Sequence, residues 1–322
     1  MKKTADPLTP QKHEFHLLQK QQRVLKHLKL LLLVPLKIND KMPNIRLIKD
    51  QFQYLVKEVL VIKYQHKLDE YINRFQPDLI LALGSETLFP EENIAALKTS
   101  TVPKAIWMSD ATGLSIVERK LALLFDYIFT QSLSNLFYYE GLLGKQSSYL
   151  PYVADTDIYF PRRVESRFKS DVLILGNFSK NNLLQSLAQS QWLTNLKVTA
   201  YGIGVENFSD FIVAITSSEH LSSYYNGTRM VINFSGSLQQ VMEVSACGIF
   251  QMTQEHPNLQ GYLIPQNGLI SFSTFNQLTD FIKHYSSHSD EKRLAASLAL
   301  QKNKHNYSYM QQGLTLLNAI FE

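Results

Sequence analysis

The stretch DVLILGNFSKNNLLQSLAQSQWL, Asp171–Leu193, reads as one strand-turn-helix unit: an unbroken apolar run, a Gly-Asn turn, then apolar residues returning at helical spacing. An apolar run without alternation marks a strand buried on both faces, as in a parallel sheet covered by helices. Toward the C-terminus the rhythm continues. LKVTAYG is a strand, HLSSYYNG a short helix, RMVINFS a strand, LQQVMEVSACG a helix, IFQMTQ and LISFS strands, and TFNQLTDFIKHYSS and DEKRLAASLALQKNKHNY helices. Toward the N-terminus, beyond the charged stretch DTDIYFPRRVESRFKSD, the same alternation appears in LKLLLLVP, KEVLVIKY, HKLDEYINRF, PDLILALGS, a helix from Glu91 to Lys98, PKAIWMSD, LFDYIFTQS and SSYLPYV. Two such series make an α/β chain of two doubly wound domains. The expected division is 1–160 and 161–322, with the linker between about Asp155 and Lys169, residues 1–10 a frayed arm and Gln11 to His27 an amphipathic helix.

The bulk properties agree with two folded domains. At 322 residues the chain exceeds the size at which a single core stops growing. With 45% hydrophobic and 19% charged residues it lies far from the composition of disordered chains. The single cysteine, Cys247, excludes an intrachain disulfide and a cysteine-built metal site, and suits a reducing compartment. The longest apolar run, Leu28 to Leu36, is interrupted by Lys29 and Pro35 and falls well short of the roughly 20 residues a spanning helix needs. A long polar segment precedes it, so no export signal is expected and the reading is cytoplasmic.

Net charge is +4, with Lys2, Lys3, Lys12, Lys20, Arg23, Lys26 and Lys29 clustered near the start. The ordinary reading is the solvated face of a leading helix. The alternative is a contact with the inner face of a membrane or a partner's acidic surface, at about 1 kcal/mol per base. The remaining bases are dispersed and lack a stacking-aromatic motif, which argues against nucleic acid. The nine histidines show no metal-ligand spacing, so no metal site is expected.

In open α/β sheets ligands bind beyond the carboxyl ends of the strands, which makes the residues after each strand the candidates. Gly176 and Asn177, with Ser179 and Lys180, follow DVLIL and lead into a helix near Asn181. Glycine lets backbone approach a ligand, a helix start favours an anion, and a lysine neutralises phosphate, so a diphosphate fits there; a plain capping turn would look the same. Tyr201 and Gly202 end the LKVTAYG strand. Asn233 ends RMVIN, and Glu243 sits ten residues on, among apolar neighbours, where a carboxylate facing a cleft would accept hydrogen bonds from ribose hydroxyls. An exposed helix glutamate is the plainer reading. Cys247 reads as a small buried apolar residue. In the first half, Gly84, Ser85 and Glu86 follow one strand, and Asp110 follows another as either a base or an Asx turn.

Taken in order, PDLILALG, VPKAIWMSD, FDYIFTQS, SSYLPYVADTDIYFP, DVLILGN, LKVTAYG, YYNGTRMVINFS and MEVSACGIFQMT resemble bacterial glycosyltransferases of the CgeB-like, spore-maturation (YkvP-type) kind, from about Phe75 to the end. The resemblance implies a GT-B fold, with two Rossmann-like domains facing across a cleft and the last helix packing back on the first domain. It implies transfer of a hexose from a nucleotide-sugar, a UDP-sugar first among them, to a glycan, lipid or protein acceptor, with retention and without metal or cofactor. Glu243 falls where such enzymes hold the ribose, Lys180 where a base meets the diphosphate, and Tyr225 and Asn233 in the segment that lines the donor pocket; Arg229, just before that strand, is expected beside Lys180 and the helix start at Asn181 around the donor. Asp110 and Lys180 are the implied catalytic pair. The chain departs from the pattern where relatives carry an arginine shortly before the glutamate, here Gln239 or Gln240, and where the first strand ends in Pro35, Leu36 and Lys37 in place of a glycine-rich turn. These departures open an alternative, a catalytically degenerate protein serving as a binding or partner subunit. Other classes fit less. YGIGVE lacks the third glycine of a dinucleotide fingerprint, and a periplasmic binding protein needs an export signal.

Overall fold

The computed structural model describes residues 25–36, 44–84, 88–108, 115–141, 143–179, 181–193, 195–205, 212–259 and 268–321. The expected leading helix and its basic cluster lie almost wholly outside them. The chain divides into two compact units, the first reaching to Pro151 and regaining the chain from Tyr309, the second running from Tyr152 to Ser308. Tyr152 to Asp155 therefore already belong to the second unit, where Val153 and Ala154 are buried.

The first unit is a six-stranded parallel sheet in the order β2-β1-β3-β4-β5-β6. Its strands are β1 (Lys29–Val34), β2 (Glu58–Lys63), β3 (Leu79–Leu83), β4 (Lys104–Met108), β5 (Tyr127–Thr130) and β6 (Gln146–Tyr149). Every residue of β3 and β4 is buried, as unbroken apolar runs require when helices cover both faces. The crossovers are α1 (Ile45–Leu55), α2 (Leu68–Phe75), α3 (Glu91–Thr99), α4 (Ile116–Ala122) and α5 (Leu133–Gly141). Asn44 caps α1 through the Arg46 and Leu47 amides, and Ser115 with Glu118 closes a capping box on α4.

One buried polar residue ties this layer together. Asn93 of α3 accepts from the Leu68 amide at 2.9 Å and donates to the Tyr64 carbonyl at 2.6 Å and the His66 carbonyl at 2.8 Å. Truncation would leave three backbone groups unpaired. Asn93→Ala is expected to lower unfolding stability by about 2 kcal/mol, read as a lower urea midpoint at unchanged slope; an unchanged midpoint would show that the turn before α2 pairs its backbone elsewhere.

The second unit is also a six-stranded parallel sheet, in the order β12-β11-β10-β7-β8-β9. It comprises β7 (Val172–Leu175), β8 (Val198–Tyr201), β9 (Ile212–Ile215), β10 (Val231–Asn233), β11 (Gln251–Gln254) and β12 (Ile270–Phe272). Its helices are α6 (Asn182–Ala188), α7 (Leu221–Gly227), α8 (Leu238–Ala246), α9 (Phe275–Ser287) and α10 (Ser289–Asn306). Strand β9, an edge strand with Val213 exposed, is one the sequence reading passes over. The helix expected through Leu193 ends at Ala188, where the Ser190 hydroxyl takes the Leu187 carbonyl at 2.6 Å and competes with further helical pairing. Winding proceeds from β7 outward through β8 to β9, then restarts on the other side with β10, so the order reverses between β7 and β10. That junction opens a crevice at the carboxyl ends of the strands.

The last helix, α11 (Tyr309–Phe321), belongs to the first unit and lies on α1. Gly313 permits the approach, since a Cβ there would come within 2.8 Å of Leu55 and 3.3 Å of Phe52. Among the described residues no helix is long and apolar enough to cross a membrane.

Candidate functional site

At the switch point of the second sheet, three turns lock against one another. The Gly176 amide donates to the Tyr201 carbonyl at 3.2 Å, Phe178 to the Ile203 carbonyl at 2.8 Å, and Phe234 to the Leu175 carbonyl at 2.7 Å. Gly202 has φ +145°, and a Cβ there would sit 1.8 Å from the Gly176 carbonyl oxygen. Only glycine allows the turns after β7 and β8 to lie this close.

The turn after β10 is built from side chains. The Asn233 side-chain Oδ1 accepts from the Ser235 amide at 2.9 Å and from its hydroxyl at 2.6 Å. The Ser235 hydroxyl accepts from the Ser237 amide, and the Ser237 hydroxyl from the Gln240 amide at the start of α8. Between these turns lies a cavity of about 580 Å³, with Gly176, Asn177, Tyr201 and Gly202 on one side and Ser235, Ser237 and Gln240 on the other. This volume is in the range of small-molecule sites. Gln240 Oε1, on the cavity lining, and Asn233 Nδ2, buried at the end of β10 two residues before Ser235, have no hydrogen-bond partner among the described residues. Each such group costs on the order of 1–3 kcal/mol unless something pairs it.

Glu243 lies one turn beyond Gln240 on α8 and is 2% exposed, which removes the plainer reading of a solvent-facing helix residue. Its carboxylate accepts from Tyr152 at 3.3 Å, Gln239 at 2.9 Å and Tyr225 at 3.3 Å, and Tyr159 also donates to it. Four donors account for the acceptor capacity of a carboxylate. Burial raises its pKa from 4.5 to about 7 even though all four donors favour the charged form. The Tyr159 and Tyr225 phenols are pushed up by burial and by the carboxylate, so they stay neutral donors. A ribose hydroxyl can reach Glu243 only if one donor gives way; Gln239, Tyr152 and Tyr159 are half-buried, whereas Tyr225 is fully enclosed.

The structure thus gathers Gly176, Asn177, Tyr201 and Gly202 at one crevice, with Asn233 buried at the end of β10 and Glu243 buried on α8, neither of them on its lining. It does not gather the rest. Tyr225 is fully buried and meets the site only through Glu243. Arg229 precedes β10 and pairs with Asp171, which precedes β7, at 3.3 Å. It therefore sits at the amino ends of strands whose carboxyl ends carry the crevice, a correction to its expected place around the donor. Asn181 is spent on capping α6 and on Gln254 at 2.7 Å. Asp110, Lys180, Ser85 and Glu86 lie outside the described residues.

Solved structures of known proteins share this two-sheet arrangement. Sucrose-phosphate synthase from Thermosynechococcus elongatus superposes with a TM-score of 0.59 at 11% identity, covering 90% of this chain and 98% of its own. Anabaena HepE in complex with UDP gives 0.60 at 10% identity, covering 90% and 98%. UDP-GlcNAc 2-epimerase from Neisseria meningitidis bound to UDP-GlcNAc gives 0.55 at 10% identity, covering 90% and 99%. The fold is GT-B. Residues 180–318 of this GT-B chain match the family model described as glycosyl transferase-like, a span that holds the β10 turn, Gln240 and Glu243. No curated protein sequence is a match. An epimerase among the similar structures shows that the GT-B frame by itself does not choose the reaction.

Sequence reading missed Ser235 and Ser237, whose signal was the SGS turn after a buried strand, and named Gln240 only as one of two places where relatives carry an arginine. It also missed Tyr152 and Gln239 as partners of Glu243; the i, i+4 spacing of Gln239 and Glu243 on one helix was a usable sign. Cys247 is buried and its thiol is pushed up to about 12 by burial and by Glu243, which suits a packing role. Among the described residues one group of side chains comes close enough to share an ion, the exposed His284 of α9, His288 at the junction of the two helices and Glu291 of α10, where the sequence analysis expected no metal site.

Proposed function

We propose that this chain is a CgeB-like glycosyltransferase that moves a sugar from a nucleotide-sugar, a UDP-sugar first among them, to a glycan, lipid or protein acceptor. The observation that carries the reading is the crevice at the β7–β10 switch point, lined by the glycine turns after β7 and β8 and by Gln240, whose buried Oε1 is unpaired among the described residues. A nucleoside diphosphate offers hydroxyl or imide donors for it. In this reading Gly176 and Gly202 let backbone amides approach the diphosphate, Lys180 supplies the positive charge, and Asp110 serves as the acceptor-side base. Preformed dipoles and a lysine can stabilise the leaving diphosphate without a metal. Glu243 takes the ribose hydroxyls once Gln239 turns outward, and its ionisation favours that exchange.

A second reading, a non-catalytic binding or partner subunit, is favoured by one observation: Glu243 has all its acceptor positions filled while Gln239 and Gln240 stand where relatives carry an arginine. Calorimetric titration with UDP, GDP and UDP-glucose, followed by an assay for slow UDP-sugar hydrolysis, separates the two. UDP is expected to bind. Gln240→Ala is expected to weaken it about fivefold, equivalent to about 1 kcal/mol, and Arg229→Gln to leave it unchanged. Absence of any nucleotide binding would install the partner-subunit reading; binding without hydrolysis would leave a nucleotide-sugar module without transferase activity.

A further inference from the structure

The amino ends of the second sheet carry a cavity that the nucleotide-sugar reading does not use. It has a volume of about 730 Å³ and is lined by Arg162, Arg163, Lys169, Lys197 and Arg229, with Asp171 as the single carboxylate. Asp171 directly precedes β7 and Gly176 directly follows it, so roughly 13 Å of extended strand separates the two cavities.

Only one of the five positive charges, Arg229, has an ion-pair partner among the described residues. One Asp171 oxygen accepts from the Lys197 amide at 2.9 Å, and the other pairs with Arg229 at 3.3 Å. Arg162 is held by neutral partners: its guanidinium donates to Ser222 at 2.7 Å and Ser223 at 3.2 Å, its amide donates to Asn226 at 2.9 Å, and its guanidinium rests over the Phe160 ring. The Arg163, Lys169 and Lys197 side chains have no ion pair or hydrogen bond among the described residues. Burial, together with the like charges of Arg229 and Arg293, pulls the neighbouring Lys292 ammonium below its ordinary value. The floor is fixed by backbone: Ser170 donates to the Gly227 carbonyl and Arg229 donates to the Ser170 carbonyl. Gly227 is required there, since a Cβ would fall 2.1 Å from the Phe168 carbonyl oxygen. Five exposed cations around one concave volume, against a single carboxylate, make a field that draws an anion in.

We propose that this cavity is a second anion site, for a ligand carrying two or more phosphate groups, separate from the nucleotide-sugar crevice. The preformed guanidinium of Arg162 suits a phosphate fork-to-oxygen, and the free lysines suit a second phosphate beside it. The same chemistry comes from a soluble oligophosphate or from phosphate headgroups of a lipid surface.

The test uses the full chain with two probes, inorganic tripolyphosphate by calorimetry and phosphatidic acid in phosphatidylcholine vesicles by co-sedimentation. Tripolyphosphate binding that falls about tenfold in Lys169→Gln and in Lys197→Gln, but not in Gln240→Ala at the crevice or in Lys57→Gln on the first unit, supports a soluble ligand. Vesicle binding with the same pattern of losses, in the absence of tripolyphosphate binding, supports a headgroup ligand. Binding of neither probe overturns the proposal, as does binding that the Lys169 and Lys197 variants leave unchanged or that Gln240→Ala weakens as much. Failure here leaves the nucleotide-sugar reading intact, because UDP binding is read at the opposite ends of the strands.

Discussion

Gly202→Ala is expected to lower unfolding stability by on the order of 4 kcal/mol and to abolish UDP binding. The new Cβ would lie 1.8 Å from the Gly176 carbonyl oxygen and 2.9 Å from its carbonyl carbon. Both atoms are backbone, so no rotamer change relieves the overlap. Either the turns after β7 and β8 part, which breaks the Gly176–Tyr201 and Phe178–Ile203 hydrogen bonds, or the strands shift apart under them. The φ of +145° adds strain of about 1–3 kcal/mol for any residue with a Cβ. Gly141→Ala is the comparison: it lies near the end of α5, a Cβ there meets nothing within 4 Å, and stability is expected to hold or rise slightly. Urea denaturation and UDP calorimetry on both variants check the pair. A Gly202→Ala protein as stable as its parent would mean that the two turns do not touch in solution.

The second large effect is a pH dependence centred on Glu243. Its carboxyl holds its proton up to about pH 7 in the folded chain, against 4.5 as the ordinary value. The folded state therefore binds this proton more tightly than the unfolded state. Stability from this group is complete below about 4.5, declines as pH rises, and is lost above about 7, a change of about 3 kcal/mol. Glu243→Gln removes the titration while keeping a group that can pair with the phenols. At pH 5 the variant is expected to match its parent, and at pH 8.5 to exceed it by up to about 3 kcal/mol. Parallel stability curves across this range would show that the carboxyl titrates normally. The same buried proton links to ligand: if UDP binding uses the ionised carboxylate, it releases a proton near pH 7, visible as a buffer-dependent calorimetric heat.

Much of this fold is legible in the sequence because its signal is local. LILAL, KAIWM and VLIL are apolar without alternation, and strands with that pattern must be covered on both faces, which already implies parallel sheets and intervening helices. The glycines after β7 and β8 and the asparagine ending β10 could be marked as site candidates for the same reason, since the residues after parallel strands face the ligand. Edge strand β9 escaped because its short run is half exposed and leaves a weak pattern. The environment of Glu243 escaped because Tyr152 and Tyr225 come from segments far away along the chain.

The sequence by itself determined two doubly wound α/β units, their strands apart from the edge strand β9 and the turns that could carry a ligand, because hydrophobic period and glycine placement act within a few residues. Only the tertiary structure decided that Gly202 meets Gly176, that Glu243 is enclosed by four donors, and that Arg229 stands with Asp171 and the lysines at the far ends of the strands. Those outcomes depend on strand order and register, which join residues distant in sequence, and order in a sheet is a property of the whole packed core.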